Sequence, residues 1–94
     1  MRIGVGLPTS TPGVGGVPDK PGRRGPELVE WARRAEEGPF TSLGVVDRLV
    51  YDCTDPLVAL AAAAAVTSRV RLVTMVVIGP IRPAAVLAAQ AASL

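Results

Sequence analysis

The sequence contains no histidine, and this absence limits the chemistry that the chain can carry by itself. Histidine is the usual general base near neutral pH and the commonest metal ligand. We therefore predict no metal site and assign no catalytic residue within this chain. Proton transfer or metal chemistry would have to be supplied from elsewhere.

Cysteine and long apolar runs are scarce as well. Cys53 is the only cysteine, so an intrachain disulfide is impossible and nothing indicates an oxidising compartment. The apolar run from Pro56 to Val66 is much shorter than the ~18 residues that cross a bilayer. Pro8 interrupts the amino-terminal apolar stretch too early for a signal peptide. We expect a soluble, cytoplasmic protein that does not contact a membrane.

Aromatic residues are few, and the basic residues are dispersed along the chain. One tryptophan, one tyrosine and one phenylalanine leave little for stacking on bases, and the formal net charge is only +2. A nucleic-acid binder would be expected to show a clustered basic patch together with aromatic stacking platforms. We therefore predict no nucleic-acid partner.

The chain does have enough apolar content to form a core, since 49% of its 94 residues are hydrophobic. Segments rich in β-branched residues alternate with segments of helical character. The predicted strands are Ile3–Leu7, Ser42–Val46 and Val70–Ile78. The predicted helices are Glu27–Glu37, Pro56–Ser68 and Ala84–Leu94. Asp55 is the predicted N-cap of the second helix, because aspartate before proline is a strong helix start.

Between the first strand and the first helix, residues 9–26 are so rich in glycine and proline that we predict a long flexible surface loop. In the first helix, the apolar side chains should share one buried face; they are Leu28, Trp31, Ala32 and Ala35. The acidic side chains of the same helix, together with Arg33 and Arg34, are expected to form a solvated face. These acidic residues are Glu27, Glu30, Glu36 and Glu37.

The alternation of strands and helices predicts an α/β fold with a parallel sheet and right-handed crossovers. Two architectures fit this pattern, a closed (β/α)8 barrel and an open doubly wound sheet, and the pattern does not separate them. Three βα units would be an incomplete portion of a barrel, which takes roughly 250 residues. The last strand would keep an unpaired edge, so we expect the chain to need further βα units or another chain.

In both architectures ligands bind at the carboxyl ends of the strands. Asp47 and Arg48 follow the second strand, and a carboxylate beside a guanidinium is suited to binding a substrate or cofactor edge. A salt bridge that ties two loops together is an equally good interpretation. Thr74 and Met75 interrupt the aliphatic third strand, where a thioether could lie against a flat ring or fill the core. Gly4 and Gly6 begin a dinucleotide-binding pattern, but Thr9 occupies the place of its last glycine.

Five stretches of the sequence also resemble the luciferase-like, flavin-dependent monooxygenases. The first four are Arg2 to Pro8, Ala35 to Leu43, Asp47 to Leu49, and Asp55 to Thr74. The fifth is Pro83 with Leu87, Ala88, Gln90 and Ala91 to Leu94, in the third helix. The resemblance implies three βα units of a TIM barrel, an incomplete amino-terminal portion of the enzyme. It also implies FMN or coenzyme F420 as cofactor, bound at the carboxyl face, and oxidation or reduction of a small organic substrate.

The resemblance further implies roles for individual residues. The flavin ring would lie against Thr74, Met75 and Val76, and the substrate against Asp47 and Arg48. Many members have histidine where this chain has Arg48, and arginine is too basic to accept a proton near neutral pH. The phosphate-binding loops of the family come from later strands. The alternative is therefore a noncatalytic truncated fragment or subunit that pairs with another chain.

Overall fold

The computed structural model describes residues 1–9, 24–49 and 53–94. Most of the predicted flexible loop, residues 10–23, lies outside the described residues, so that prediction is untested there. Residues 24–26 are helical, and for them the loop prediction was wrong. The reason is that the amide groups of a first helical turn have no partners within the helix, so Pro26 fits there without the loss of a hydrogen bond.

Strands and helices alternate along the described part of the chain. The strands are β1 (Gly4–Gly6), β2 (Ser42–Val45) and β3 (Arg71–Thr74). The helices are α1 (Arg24–Glu37), α2 (Pro56–Ala64) and α3 (Ala84–Ser93), with a 3-10 turn at Gly79–Ile81 before α3. The strands form one sheet in the order β1-β2-β3, and both neighbouring pairs are parallel. The prediction of an α/β fold with a parallel sheet is thereby confirmed.

The register of the sheet separates its side chains into two faces. Leu43 of β2 pairs with Val5 and Leu72, and these residues contribute to the core under the helices. The alternate positions lie on the opposite face, because successive strand residues point to opposite sides. On this side, we call Gly4, Gly6, Ser42, Gly44 and Val73 the glycine face; Arg71 lies on the same side, at the start of β3.

The core lies between the sheet and the helices α1 and α2. Leu43 is fully buried, and the small side chains Ala32 and Ala63 are also fully buried on the two helices. Alanine lets a helix approach a sheet or a second helix closely, so the alanine-rich sequence of α2 serves packing. Trp31 is 46% exposed, and its predicted place on the buried face of α1 was wrong. The buried stripe of α1 consists instead of Leu28, Ala32 and Ala35.

Two elements, β3 and α2, each end four residues earlier than the sequence predicts. β3 stops at Thr74 rather than Ile78, and the Met75 amide makes the last bond to its neighbour strand, with the carbonyl of Val45. β2 ends at Val45, the partner of Thr74, so it offers no further strand residues to pair with β3. Helix α2 ends at Ala64, where the Thr67 hydroxyl donates to the carbonyl of Ala63 at 2.8 Å and closes the helix end.

At the other end of the sheet, Glu36 joins α1 to the turn before β3. Its carboxylate accepts hydrogen bonds from the backbone N–H groups of Ser68 at 3.0 Å, Arg69 at 2.6 Å and Val70 at 2.9 Å. In return, the Arg69 guanidinium donates to the carbonyls of Phe40 at 2.9 Å and Gly38 at 3.0 Å, just beyond the end of α1. The prediction of a purely solvated face was therefore wrong for Glu36, which has a structural role.

We expect Glu36→Gln to remove an acid-dependent part of the stability. The hydrogen bond from Val70, opposed by partial desolvation and aided by the bonds from Ser68 and Arg69, lowers the pKa of Glu36 from 4.5 to about 2. Because the pKa is lower in the folded state, Glu36 stabilises the fold above pH 4.5, and this contribution is lost as the pH falls from 4.5 toward 2.

Urea denaturation between pH 3 and pH 6 measures this effect. The urea midpoint of the wild-type chain should fall below pH 4.5 more steeply than that of Glu36→Gln. The matched control is Glu37→Gln, which changes an exposed neighbour on the same helix and should keep the wild-type slope. Equal slopes for Glu36→Gln and the wild type would contradict the prediction.

Candidate functional site

The candidate site lies at the edge of the sheet where all three strands have their carboxyl ends. Parallel pairing places these ends together, and hydrogen bonds of ordinary length close the ladder there. Leu7 donates to the carbonyl of Gly44 at 2.9 Å, and Met75 donates to the carbonyl of Val45 at 2.9 Å. The residues that follow, Asp47 after β2 and the segment 75–78 after β3, therefore occupy the same edge.

Asp47 is buried at this edge, and its carboxylate already has protein partners. Its side chain is 2% exposed, and Oδ2 accepts hydrogen bonds from the Ile78 amide at 3.0 Å and from Nη2 of Arg82 at 2.9 Å. Burial alone would raise the pKa of Asp47, but the hydrogen bonds and positive charge of Arg82 and the Ile78 amide outweigh it and lower the pKa below 3.8. The carboxylate is held ionised as part of an ion pair between two loops.

Arg82 is shared between two carboxylates. Its Nη2 atom also lies 2.8 Å from Oδ2 of Asp55, while Oδ1 of Asp55 accepts the amide of Leu57 at 2.9 Å. Asp55 is thus the N-cap of α2, as predicted, and at the same time a partner of Arg82. The carboxylates of Asp47 and Asp55 hold the pKa of Arg82 above its usual value despite desolvation.

Sequence reasoning did not single out Arg82, although a signal was present. It is the only charged residue between Leu72 and Leu94. A lone charge in an apolar stretch must either reach water or find a counter-ion, and Arg82 does the second. Its sequence neighbours could not show that the counter-ions come from Asp47 and Asp55, which are 35 and 27 positions away.

Arg48 occupies a different environment from Asp47. Its side chain is exposed, whereas Asp47 is buried, although the two are adjacent in the sequence. The two residues that were predicted to bind substrate together therefore differ in what they offer to a ligand. Arg48 is exposed at its position after β2, whereas the carboxylate of Asp47 is buried and bonded to Arg82 and Ile78.

Met75 extends over the glycine face. A Cβ atom built on Gly44 would lie 2.7 Å from its sulfur and 3.0 Å from its Cγ, so the thioether occupies the space that a side chain at position 44 would need. The side chain of Met75 remains 64% exposed. Together with Val5 and the residues of the glycine face, Met75 lines a shallow groove of about 290 Å³.

The other two predicted cofactor residues lie elsewhere. Thr74 pairs with the buried Val45 and lines a cleft of about 530 Å³ between α2, β3 and α3, so its side chain is on the helix side of the sheet. Val76 follows the strand and is 52% exposed. Of the three residues, the structure places the side chain of Met75 over the glycine face and that of Thr74 on the opposite side.

Cys53 lies close to this edge and is half-buried. Its thiol donates weakly to the carbonyls of Thr54 at 3.4 Å and Val46 at 3.9 Å. Among the described residues, no group of three or more metal-ligating side chains is close enough to hold an ion. Within the same residues, no helix is both long and apolar enough to span a membrane.

The comparisons with known proteins agree with the sequence resemblance. A family model described as luciferase-like monooxygenase matches residues 1–94. No significant match was found among curated proteins or among solved structures. Members of the matched family generally use reduced flavin.

Proposed function

Because the chain belongs to the luciferase-like monooxygenase family, we propose that it forms part of a flavin-dependent oxidoreductase, with FMN or F420 as cofactor. The three βα units would be part of a (β/α)8 barrel, and the glycine face would be turned toward the barrel interior. The family match over the whole chain carries the proposal. The position of Met75, at the carboxyl edge of the glycine face, indicates where this chain would meet the ring.

The residues at this edge fit a flat aromatic cofactor. Gly6 has no atom within 4 Å of a Cβ built on it, so the sheet surface there is open to the close approach of a ring. Beside it, the thioether of Met75 is polarizable and makes favourable contacts with aromatic rings, worth about 0.3–1.5 kcal/mol. A bound flavin would supply the hydride or oxygen chemistry.

This chain's own residues would orient the cofactor and the substrate. The side chains of Met75 and Val76 would lie against the ring, and Thr74 would take part through its main chain, because its side chain is on the helix side. Arg48 would bind a polar or anionic group of a small organic substrate from its exposed position. Asp47 would act through the loops that its carboxylate joins rather than as a free acceptor, because it is already bonded twice.

Titrations of the folded chain with F420 and, under anaerobic conditions, with reduced FMN test the proposal by calorimetry and cofactor fluorescence. We expect saturable binding of one of them. Met75→Ala should raise the Kd about two- to tenfold, the equivalent of one lost sulfur–aromatic contact. Gly44→Val should raise the Kd too, because a Cβ at position 44 displaces the Met75 side chain.

Val58→Ala is the matched control for these titrations, since it shortens a side chain on α2 that is 61% exposed. It should leave the Kd unchanged. Absence of saturable binding by folded wild-type chain would overturn the cofactor proposal and leave the noncatalytic alternative, a fragment or subunit that pairs with another chain.

We also propose that the chain associates with further βα units or with another chain. Within the described residues, β3 has no strand on its outer edge, and α3 has no buried residue. An unpaired strand edge beside an uncovered apolar helix favours association. Sedimentation velocity of the isolated chain should show oligomers or aggregates. A stable monomer that melts in a sharp calorimetric transition would contradict this prediction.

A further inference from the structure

We infer that Arg82 is a positioning residue for the flavin site: it holds the segment 75–78 so that Met75 stays over Gly44. The inference rests on the proposed function, because it assigns a role toward the same cofactor wall. Arg82 itself does not line the groove over the glycine face, and among the described residues it has no hydrogen bond or ion pair with Met75. Its effect is transmitted through Asp47.

Arg82 joins three parts of the fold. Its Nη2 atom lies 2.9 Å from Oδ2 of Asp47, which follows β2, and 2.8 Å from Oδ2 of Asp55, which caps α2. Arg82 belongs to the connection between β3 and α3, and its side chain is 16% exposed. One nitrogen therefore ties this connection to the ends of two other elements.

Asp47 connects Arg82 to the segment that begins with Met75. The Oδ2 atom that binds Arg82 also accepts the amide of Ile78 at 3.0 Å, while the amide of Met75 donates to Val45 at 2.9 Å. The segment 75–78 is thus attached to the end of β2 at both of its ends. Without Arg82, the buried Asp47 carboxylate would keep a single amide donor and would have to turn toward water or take up a proton. Turning toward water would release Ile78 from its attachment, and protonation would weaken the hydrogen bond from the Ile78 amide, because a neutral carboxyl is a poorer acceptor than a carboxylate.

The part of the Arg82 side chain that holds the two carboxylates is a single nitrogen atom. Both carboxylates are bound by the same nitrogen, whereas Nε is buried without a hydrogen-bond partner among the described residues. A single cationic nitrogen between Asp47 and Asp55 is therefore the functional part of the side chain. Lysine can supply such a nitrogen, but glutamine cannot supply the charge. Arg82→Lys should accordingly restore much of what Arg82→Gln removes.

The test combines FMN affinity with NMR signals that report on the segment directly. The chain has only two methionines, so the methyl signal of Met75 is identified by comparison with Met75→Ala. We expect Arg82→Gln to shift this methyl signal, to accelerate hydrogen exchange of the Ile78 amide, and to raise the Kd for reduced FMN about 3- to 30-fold. Arg82→Lys should recover most of all three values.

The control is Arg34→Gln, which removes an exposed i,i+4 pair with Glu30 on α1 and should change none of the three. If Arg82→Gln does not fold, Asp55→Ser takes its place: serine keeps the N-cap of α2 but removes one carboxylate from Arg82. It should shift the Met75 methyl signal in the same direction but by less, because Arg82 keeps its bond to Asp47 and loses only the bond that fixes it to the start of α2.

Three outcomes separate the inference from the proposed function. Arg82→Gln could fold and bind FMN while its Met75 methyl signal and its Ile78 hydrogen exchange match those of the wild type. That result would overturn the inference but not the proposed function. If Arg82→Gln does not fold, wild-type Met75 and Ile78 signals in folded Asp55→Ser would overturn the inference instead. Absence of binding of both reduced FMN and F420 in every variant, with the signals changed as expected, would overturn the proposed function while supporting the role of Arg82 in holding the segment.

Discussion

Leu43→Ala is expected to destabilise the fold by about 2–5 kcal/mol, the cost of deleting a buried leucine side chain and leaving part of its volume empty. Leu43 is fully buried in the central strand and pairs with Val5 on one side and Leu72 on the other. A domain of this size has a total stability of only ~5–10 kcal/mol. The substitution should therefore remove a large part of the stability or abolish folding.

Urea denaturation followed by circular dichroism and by the fluorescence of Trp31, the only tryptophan, measures this effect. Leu49→Ala is the matched control, since it makes the same chemical change at a position that is 61% exposed. It should alter the free energy of unfolding by less than about 0.5 kcal/mol. Similar losses for the two variants would show that the core is not centred on β2.

Asp47→Ala is expected to cost about 2–3 kcal/mol, because it leaves the Ile78 amide without its acceptor and removes one of the two carboxylates of Arg82. This cost is lower than the cost of breaking a fully buried ion pair, because Arg82 keeps its bond to Asp55. Asp47→Asn retains an acceptor for the amide but loses the charge, and its cost should lie between those of wild type and Asp47→Ala.

The pH dependence of the Asp47 variants gives the second half of this prediction. The pKa of Asp47 is lowered from 3.8 in the folded state, so its contribution is fully present above that value and is lost as the pH falls through the folded pKa. Both variants should therefore lose less stability than wild type on acidification from pH 6 to pH 3. A wild-type acid slope in Asp47→Asn would contradict the prediction. Glu30→Gln, in an exposed pair, serves as the control.

Several features of the site follow from local sequence. Asp55 before Pro56 predicts the start of α2, because a cap depends on amide groups within three residues of it. The position of Asp47 after a strand end predicts its place at the carboxyl edge, since parallel strands end at the same side of a sheet. The two alternatives for Asp47, a ligand contact or an ion pair between loops, could not be decided from the sequence, because the partner is 35 positions away.

The sequence by itself determined the alternating order of strands and helices, the parallel sheet, and the resemblance to the luciferase-like family. These features depend on apolar periodicity and on residues within a few positions of each other. Only the tertiary structure decided where β3 ends, which side of the sheet carries Thr74 and Met75, and which residues pair with Glu36 and Arg82. A strand ends where its neighbour ends, and a buried charge binds whatever counter-charge or donor packing brings to it. The end of a strand and the partner of a buried charge therefore both depend on contacts between residues that lie about 30 positions apart in the chain.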